Sequence, residues 1–285
     1  MISNRILYES APCYGRMTQG SIINGCIAED FPNEEVFGLI ITPRCAMGHT
    51  GKVSTVHYVP VVPFERWFDV IAKPIIKEQW KKELANKINT AFSKAKIGTE
   101  IMSANLSYED LNRINQEKTL NSNTRQEISS LLDSYFDKNI TAFNDYLQGM
   151  VVEQASKKKK RISYLSELVR NDNAAFYLIE CWKEYGEGKH LVVILRDVRR
   201  IQFKVAEKIK DGIAESELNL ENALHNDLFL NKEEGFFFWV QAQIASPFIE
   251  HIMQAFVYNF SRIGVEDRSD NTLDLLNKAI NSSII

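Results

Sequence analysis

The sequence predicts an α+β fold, in which a small β-barrel or curved antiparallel sheet is interrupted by a long all-helical insertion and followed by C-terminal helices. Three observations support this class. Short apolar runs bounded by turn residues fill residues 20–63, a helical apolar period begins at Phe64, and strand-like runs return after residue 174. Since three short strands make a marginal core, we expect the early and late strands to share one sheet. The rival arrangement is two separate small domains.

These changes of pattern divide the chain into three parts. Residues 1–63 supply the first β segment of the barrel, residues 64–161 the helical insertion, and residues 162–285 the second β segment with the C-terminal helices. At 285 residues the chain is long enough to bury a substantial core.

Composition and charge exclude a few classes of protein. The chain is 45% hydrophobic and 25% charged, as in soluble globular proteins, and its formal charge of -3 gives no bulk attraction for nucleic acid or anionic membrane. No window approaches the roughly 20 apolar residues of a membrane span, and the N-terminus lacks an apolar signal core. Four scattered cysteines form no disulfide framework. We therefore expect a cytoplasmic protein with no membrane partner.

The first β segment contains three predicted strands, at residues 21–28, 36–41 and 52–62. Alternation divides the third strand into two faces, one with Val53, Thr55, His57 and Val59 and the other with Val56 and Tyr58. Because Pro60 and Pro63 cannot donate to a ladder, we expect the end of this strand to lie at a sheet edge.

The helical insertion opens with apolar stripes at four-residue spacing: Trp67, Ile71 and Ile75, then Trp80, Leu84, Ile88 and Phe92. Pro74 is expected to break or kink this helix. Ser107 with Asp110 marks the start of a short helix. Thr124 with Glu127 forms a capping box that opens a helix of roughly 30 residues.

The second β segment is predicted from strand-like runs at 174–182, 191–201 and 235–245, the first two joined by a glycine turn at 186–188. Ser246 is a good N-cap for a helix over 247–263. Its predicted buried stripe is Phe248, Ile252, Phe256, Phe260 and Ile263. An amphipathic segment at 272–280 closes the chain.

Two basic clusters have a structural and a functional interpretation. The run 157–161 is typical of a solvated helix end, and the alternative is a phosphate-contacting patch that uses Lys158, Lys159 and Arg161. Further on, Arg196, Arg199 and Arg200 lie in one short stretch. Two of these are expected to pair with acids such as Asp197 and Glu207, and a phosphate site is the alternative.

The densest group of reactive side chains follows the strand 36–41, in a loop that carries Arg44, Cys45 and His49. Zinc is one interpretation, with Cys26, Cys45, His49 and His57 as a possible S2N2 set, although only Cys45 and His49 form a compact pair. Buried structural cysteines are the alternative, so no cofactor is expected unless zinc binds.

The same loop suggests two kinds of catalysis. Arg44 could lower the pKa of Cys45 and make it a nucleophile with His49, against the simpler interpretation of a structural cysteine on a turn. Alternatively, Arg44 and His49 could clamp a phosphodiester, with Lys52 close behind, so that the 2′-hydroxyl of RNA attacks without a metal.

Several stretches resemble the MazF/PemK toxin barrel. The resemblance rests on Gln19-Gly20-Ser21-Ile22-Ile23, Gly38-Leu39-Ile40-Ile41-Thr42-Pro43, Val56-His57-Tyr58-Val59-Pro60-Val61 and Leu191 to Ile201. It implies a barrel, metal-independent RNA cleavage and a catalytic role near Thr42. In addition, Ile-Thr-Pro-Arg-Cys and Ser-Pro-Phe-Ile-Glu-His are similar to stretches of uncharacterised bacterial proteins of phage-defence and toxin-antitoxin loci.

Three functions follow as hypotheses. The first is an interaction module of a bacterial anti-phage defence or toxin-antitoxin-like system, which binds a protein or nucleic-acid partner and could self-associate. The second is a MazF-like endoribonuclease with Arg44, His49 and Thr42 as catalytic residues and Lys52 as an RNA contact. The third is a zinc-stabilised binding protein.

Overall fold

A computed structural model describes the chain over residues 8–9, 16–48, 53–98, 101–104, 106–117, 120–139, 141–155, 168, 175–179, 190–218, 226–230 and 235–261. The strands within these ranges are β1 (Tyr8–Glu9), β2 (Ser21–Ala28), β3 (Phe31–Ile40), β4 (Thr55–Pro63), β5 (Phe176–Ile179), β6 (Leu191–Ile194), β7 (Arg199–Gln202), β8 (Ile213–Ala214), β9 (Phe237–Phe238) and β10 (Val240–Ile244). The α-helices are α1 (Arg44–Met47), α2 (Phe64–Trp67), α3 (Lys73–Lys94), α4 (Tyr108–Glu117), α5 (Ser122–Tyr135), α6 (Ala142–Ala155), α7 (Phe203–Asp211) and α8 (Phe248–Ser261).

Eight of the strands form one antiparallel sheet that curls into a half-barrel. The strand order is β1-β10-β2-β3-β4-β6-β5, and β7 also pairs with β4. The early strands β2 to β4 therefore lie in the same sheet as β5, β6, β7 and β10, which confirms the prediction that early and late strands pair. β8 and β9 form a separate two-stranded sheet.

Helices cover both faces of this sheet because the strands bury side chains in both directions. On one face, Tyr58 and Val62 share a core with Trp67 and Trp80 from the helices that follow β4. On the other face, the sheet packs against Ile249, Ile252 and other residues of α8. The far end of α3 joins α4 and α5 in a third, purely helical core.

The helix after β4 is continuous in space but not regular. A π-helical turn, Phe68–Ala72, joins α2 to α3, just before Pro74, whose missing N–H cannot complete an α-helical ladder. The extra residue of the π turn shifts the apolar stripe, so Ile76 is buried while Ile75 is 36% exposed. The predicted break at Pro74 thus takes the form of a π turn, and the predicted burial of Ile75 is wrong. The second stripe, from Trp80 to Phe92, is buried as predicted.

The predicted 30-residue helix from Thr124 is wrong, because α5 and α6 are separate helices. Asp137 lies between them with a φ of 56°, and its carboxylate pairs with Lys77 (3.0 Å) and Lys81 (2.8 Å) of α3. The hydrogen bond from Lys81 is the main reason why the pKa of Asp137 is lowered. The predicted cap is also displaced, since Asn121 is the N-cap of α5 and accepts from the main-chain N–H of Thr124.

Contrary to the prediction of an edge, β4 is an interior strand. It pairs with β3 on one side and with both β6 and β7 on the other. Since His57 directs its carbonyl at Ile41, on the β3 side, alternation directs the nitrogen of Pro60 at the β6–β7 side. There the partner strand is interrupted, because the five residues 194–198 stand opposite only Val59 and Pro60. The proline therefore sits where no ladder donor is required.

The C-terminal helix α8 buries a different stripe from the predicted one. Ile249 and Ile252 are 1% exposed, Phe248 and Phe256 are half-buried against the same core, and Phe260 is 45% exposed. Residues spaced by four drift by about 40° per step around a helix of 3.6 residues per turn, which carries Phe260 off the buried face. Ile263, the glycine turn at 186–188 and the segment 272–280 lie outside the described residues.

Gly38 provides a test of how tightly β2, β3 and β4 pack. A Cβ there would lie 2.5 Å from Cys26 Sγ and 2.9 Å from the Tyr58 ring. We expect Gly38→Ala to lower the free energy of unfolding by about 1–3 kcal/mol, as overpacking does. Gly48→Ala is the matched control, because its nearest contact would be Arg44 O at 3.5 Å. Urea unfolding of both variants checks this, and equal stabilities would contradict the described packing.

Candidate functional site

A groove of about 560 Å³ lies where β3 and β4 meet α1 and α8. Its lining residues come from the ends of these elements and from the interruption before β7: Ile41, Thr42, Pro43, Ala46, Val53, Ser54, Thr55, His57, Val198 and Phe256. Three hydroxyls and an imidazole thus face an apolar wall that contains one aromatic ring. No carboxylate is present among these lining residues.

Thr42 is a buried polar residue of the groove that is bonded to the neighbouring strand. Its side chain is buried, and Oγ1 accepts a 2.7 Å hydrogen bond from the main-chain N–H of His57. The carbonyl of His57 accepts in turn from the N–H of Ile41 at 2.9 Å. Thr42 thereby extends the β3–β4 pairing by one side-chain hydrogen bond, and this fixes the backbone that carries His57.

The predicted Arg-Cys-His loop begins as a short helix instead of an irregular loop. Pro43 precedes α1, whose first two residues, Arg44 and Cys45, are both exposed at the rim of the groove beside Pro43 and Ala46. His49 and Lys52 lie outside the described residues, as do Lys158, Lys159 and Arg161. Of the predicted catalytic residues, the structure therefore places Thr42 and Arg44 in one region. The third, His49, and all four predicted nucleic-acid contacts lie outside the described residues.

Cys26 and His57 lie on opposite faces of the sheet, so the structure does not bring these two predicted zinc ligands together. Cys26 shares the buried core with Tyr58, the residue next to His57 along β4. Burial raises the pKa of the Cys26 thiol well above its ordinary value. No group of three His, Cys, Asp or Glu residues suited to a metal ion occurs within the described ranges.

The hydroxyl of Tyr58 anchors a further segment beside β7. It donates to the carbonyl of Asp227 and accepts from the N–H of Ile27 at 3.2 Å. Burial is the main cause of the raised pKa of Tyr58. Asp227 continues the contact, because its carboxylate accepts from the N–H of Arg200 at 2.9 Å and its own N–H donates to the carbonyl of Arg200 at 2.9 Å.

The three neighbouring arginines behave differently, and two of them form ion pairs. Arg196 pairs with Asp30 at 2.6 Å and Arg199 with Asp197 at 2.5 Å. The predicted acid Asp197 is thus a real partner, whereas Glu207 pairs with Lys210. Arg200 is exposed and directly opposite His57 in the β4–β7 register.

From the sequence, His57 is assigned only to the zinc set, and Arg200 is considered only together with Arg196 and Arg199 as an alternative phosphate site. The alternation of the strand 52–62 already put His57 on the face of Thr55. The missing information was the pairing of β4 with β7, which puts Arg200 beside it.

Comparisons with known proteins identify no relative: no family profile, no curated protein and no solved structure matches this chain. The MazF-like resemblance therefore stays a prediction. Within the described part of the chain, no helix is both long and apolar enough to cross a bilayer.

The different surroundings of Cys26 and Cys45 predict very different thiol reactivity. In a Cys13→Ser, Cys181→Ser background, we expect one thiol, Cys45, to react rapidly with a disulfide reagent in the native protein at pH 8. Cys26 should react more than about a hundredfold more slowly, because burial blocks access and raises its pKa, so that reaction requires opening of the core. Adding Cys45→Ser should abolish the rapid phase. A rapid phase that survives this change would contradict the burial of Cys26.

Proposed function

We propose that the groove binds a single strand of nucleic acid and that the chain is a non-catalytic interaction module. The observation that carries this proposal is the lining: hydroxyls, an imidazole and an aromatic ring, with no carboxylate among them, although the whole chain has a formal charge of -3. Arg44 lies at the rim, next to the lining residue Pro43, and the described residues include no ion pair of Arg44. A groove that has no carboxylate in its lining and an arginine beside it offers a local site for phosphate on an acidic protein.

The size and chemistry of the groove support the same class of ligand. Its volume of about 560 Å³ is that of a small-ligand site, enough for a nucleotide-sized segment. Phe256 and Val198 offer an apolar surface for a base, and Ser54, Thr55 and His57 offer hydrogen bonds to sugar and phosphate. Arg44 adds positive charge at the rim.

Binding is favoured over catalysis by the state of Thr42, the residue that the family resemblance would make catalytic. The residue is only 6% exposed, and its Oγ1 accepts a hydrogen bond from the N–H of His57. A hydroxyl that is this buried and bonded to the neighbouring strand is poorly placed to exchange a proton with a bound substrate. The setting in anti-phage defence or a toxin-antitoxin system stays a prediction from sequence resemblance.

A charge introduced in the groove tests the proposal. Val198 lines the groove and is 42% exposed, so Val198→Glu should not disturb the core. We expect it to weaken binding of a fluorescein-labelled 12-nucleotide single-stranded RNA by about tenfold or more through repulsion of phosphate. Val257→Glu is the matched control, because Val257 is 60% exposed on α8 and does not line this groove. Fluorescence anisotropy that shows no RNA binding by the unaltered protein, or equal affinities for both variants, would refute the proposal.

Endoribonuclease activity is a second candidate, favoured by one observation: Thr42 and His57 line the same groove. Under the main proposal, labelled single-stranded RNA incubated with the protein and EDTA should remain intact on a denaturing gel. Cleavage under these conditions that disappears in His57→Ala, Arg44→Ala or His49→Ala, but persists in Val257→Glu, would establish the enzyme instead.

A further inference from the structure

We infer that Arg200 and His57 together form a phosphate-binding subsite at the groove, a pair of residues that the sequence assigns to no common function. This inference rests on the proposed function in one respect only: the phosphate group is taken to belong to a bound single strand of nucleic acid. The subsite itself is argued from backbone register, exposure and charge.

The backbone puts these two side chains as close as neighbouring strands allow. His57 is directly opposite Arg200, yet its N–H and carbonyl both bond on the β3 side, to Thr42 and Ile41. The N–H and carbonyl of Arg200 both bond on the other side, to Asp227. This makes the two a non-hydrogen-bonded antiparallel pair, in which the Cα atoms are about 4.5 Å apart and the side chains are closest.

The positive charge of Arg200 has no acidic partner within the described residues. Arg200 and His57 are both exposed, and the described residues form no ion pair with either. An anion placed between these two side chains would pair with the guanidinium and accept from the imidazole at the same time. The ion pairs of Arg196 and Arg199 in the same stretch show that carboxylates are available nearby and are used by other arginines.

A phosphate group fits the donors that surround this position. A guanidinium presents two parallel N–H groups to one anion, and an imidazole N–H adds a third donor. On the same strand face as His57, the half-buried Thr55 also lines the groove and offers a hydroxyl. Tetrahedral phosphate oxygens can accept from these different directions, whereas the planar carboxylate of a peptide is matched by an arginine alone.

Arg200→Gln is the decisive variant, because it removes the charge of an exposed side chain and keeps its main-chain bonds to Asp227. We expect single-stranded RNA to bind about tenfold more weakly, as for the loss of a charge-assisted hydrogen bond. The slope of log Kd against log salt concentration should also fall by about 0.7, the value for one phosphate contact on a single strand. His57→Gln should weaken binding in the same direction. Arg113→Gln, which makes the same change at an exposed arginine of the helical insertion, should alter neither quantity.

A second probe separates this inference from the proposed function. Inorganic phosphate and adenosine monophosphate are titrated into the unaltered protein and Arg200→Gln, followed by the NMR signals of the His57 ring. If RNA does not bind but either small anion shifts these signals only with Arg200 present, the subsite stands with a free phosphate as ligand. A different result would disprove the subsite and leave the proposed function standing. In that case RNA binds and Val198→Glu weakens its binding, but Arg200→Gln changes neither the affinity nor the salt slope, and neither small anion shifts the signals of the His57 ring. If neither RNA nor the small anions bind, both fail.

Discussion

The position of Pro60 in the middle of β4 is the constraint on which the sheet and the groove depend. β4 is one of the places where the two β segments join, since β3 pairs along one edge and β6 and β7 along the other. The pairing of β10 with β1 and β2 joins them as well. A proline in an interior strand is tolerated only where its neighbour leaves the ladder. Here the neighbour does so through residues 194–198, and that detour supplies Val198 to the groove and brings Asp197 toward the β2–β3 turn, where it accepts from the N–H of Glu29 at 2.7 Å. After the detour, the register resumes with Arg200 opposite His57.

One helix of the helical insertion, α3, serves two cores. Ile76, Trp80 and Leu84 of α3 belong to the core against the sheet, whereas Ile88 and Phe92 belong to the helical core with α4 and α5. The π turn before α3 sets the rotation that makes this division possible, since one extra residue moves the stripe from Ile75 to Ile76. On the opposite face α8 packs with Ile249 and Ile252 and places Phe256 in the groove. The insertion therefore contacts the sheet face opposite the groove.

Local patterns in the sequence predict most of this architecture. Alternation correctly places Tyr58 and Val59 on opposite faces of β4, and the four-residue spacing from Trp80 to Phe92 is that of the observed buried stripe. One error has a local cause and the other a distant one. α5 ends where Asp137 adopts the left-handed conformation and the N–H groups of Asp137 and Lys138 donate to the carbonyls of Ser134 and Asp133. Pro60 is interior because a strand about 130 residues later in the sequence is interrupted opposite it, a contact that no local pattern contains.

The candidate site is harder to predict for the same reason. Thr42, Arg44 and His57 are close in sequence, whereas Val198 and Phe256 reach the groove only through the tertiary fold. Strand pairing alone puts Arg200 opposite His57. Cys26 and His57 are also grouped in the sequence by their positions on the strands that flank the Arg44 loop, although strand alternation puts them on opposite faces of the sheet. The sequence therefore identifies the part of the groove between Thr42 and His57 and adds one residue, Cys26, from the other face.

The three arginines around β7 differ in their partners, because Arg196 and Arg199 form ion pairs and the nearby acids are engaged elsewhere. The carboxylate of Asp197 accepts from Arg199 and from the N–H of Glu29, so its hydrogen bonds are directed away from Arg200. The carboxylate of Asp227 accepts from the main-chain N–H of Arg200, which fixes the strand, and the described ion pairs do not include the guanidinium of Arg200. Both acids that flank β7 are thus occupied in holding the backbone or Arg199 in place. Among the described residues, the acids nearest to β7 therefore hold the backbone or Arg199, and none of them pairs with the guanidinium of Arg200, which lies opposite His57. His57 lines a groove whose described lining contains no carboxylate.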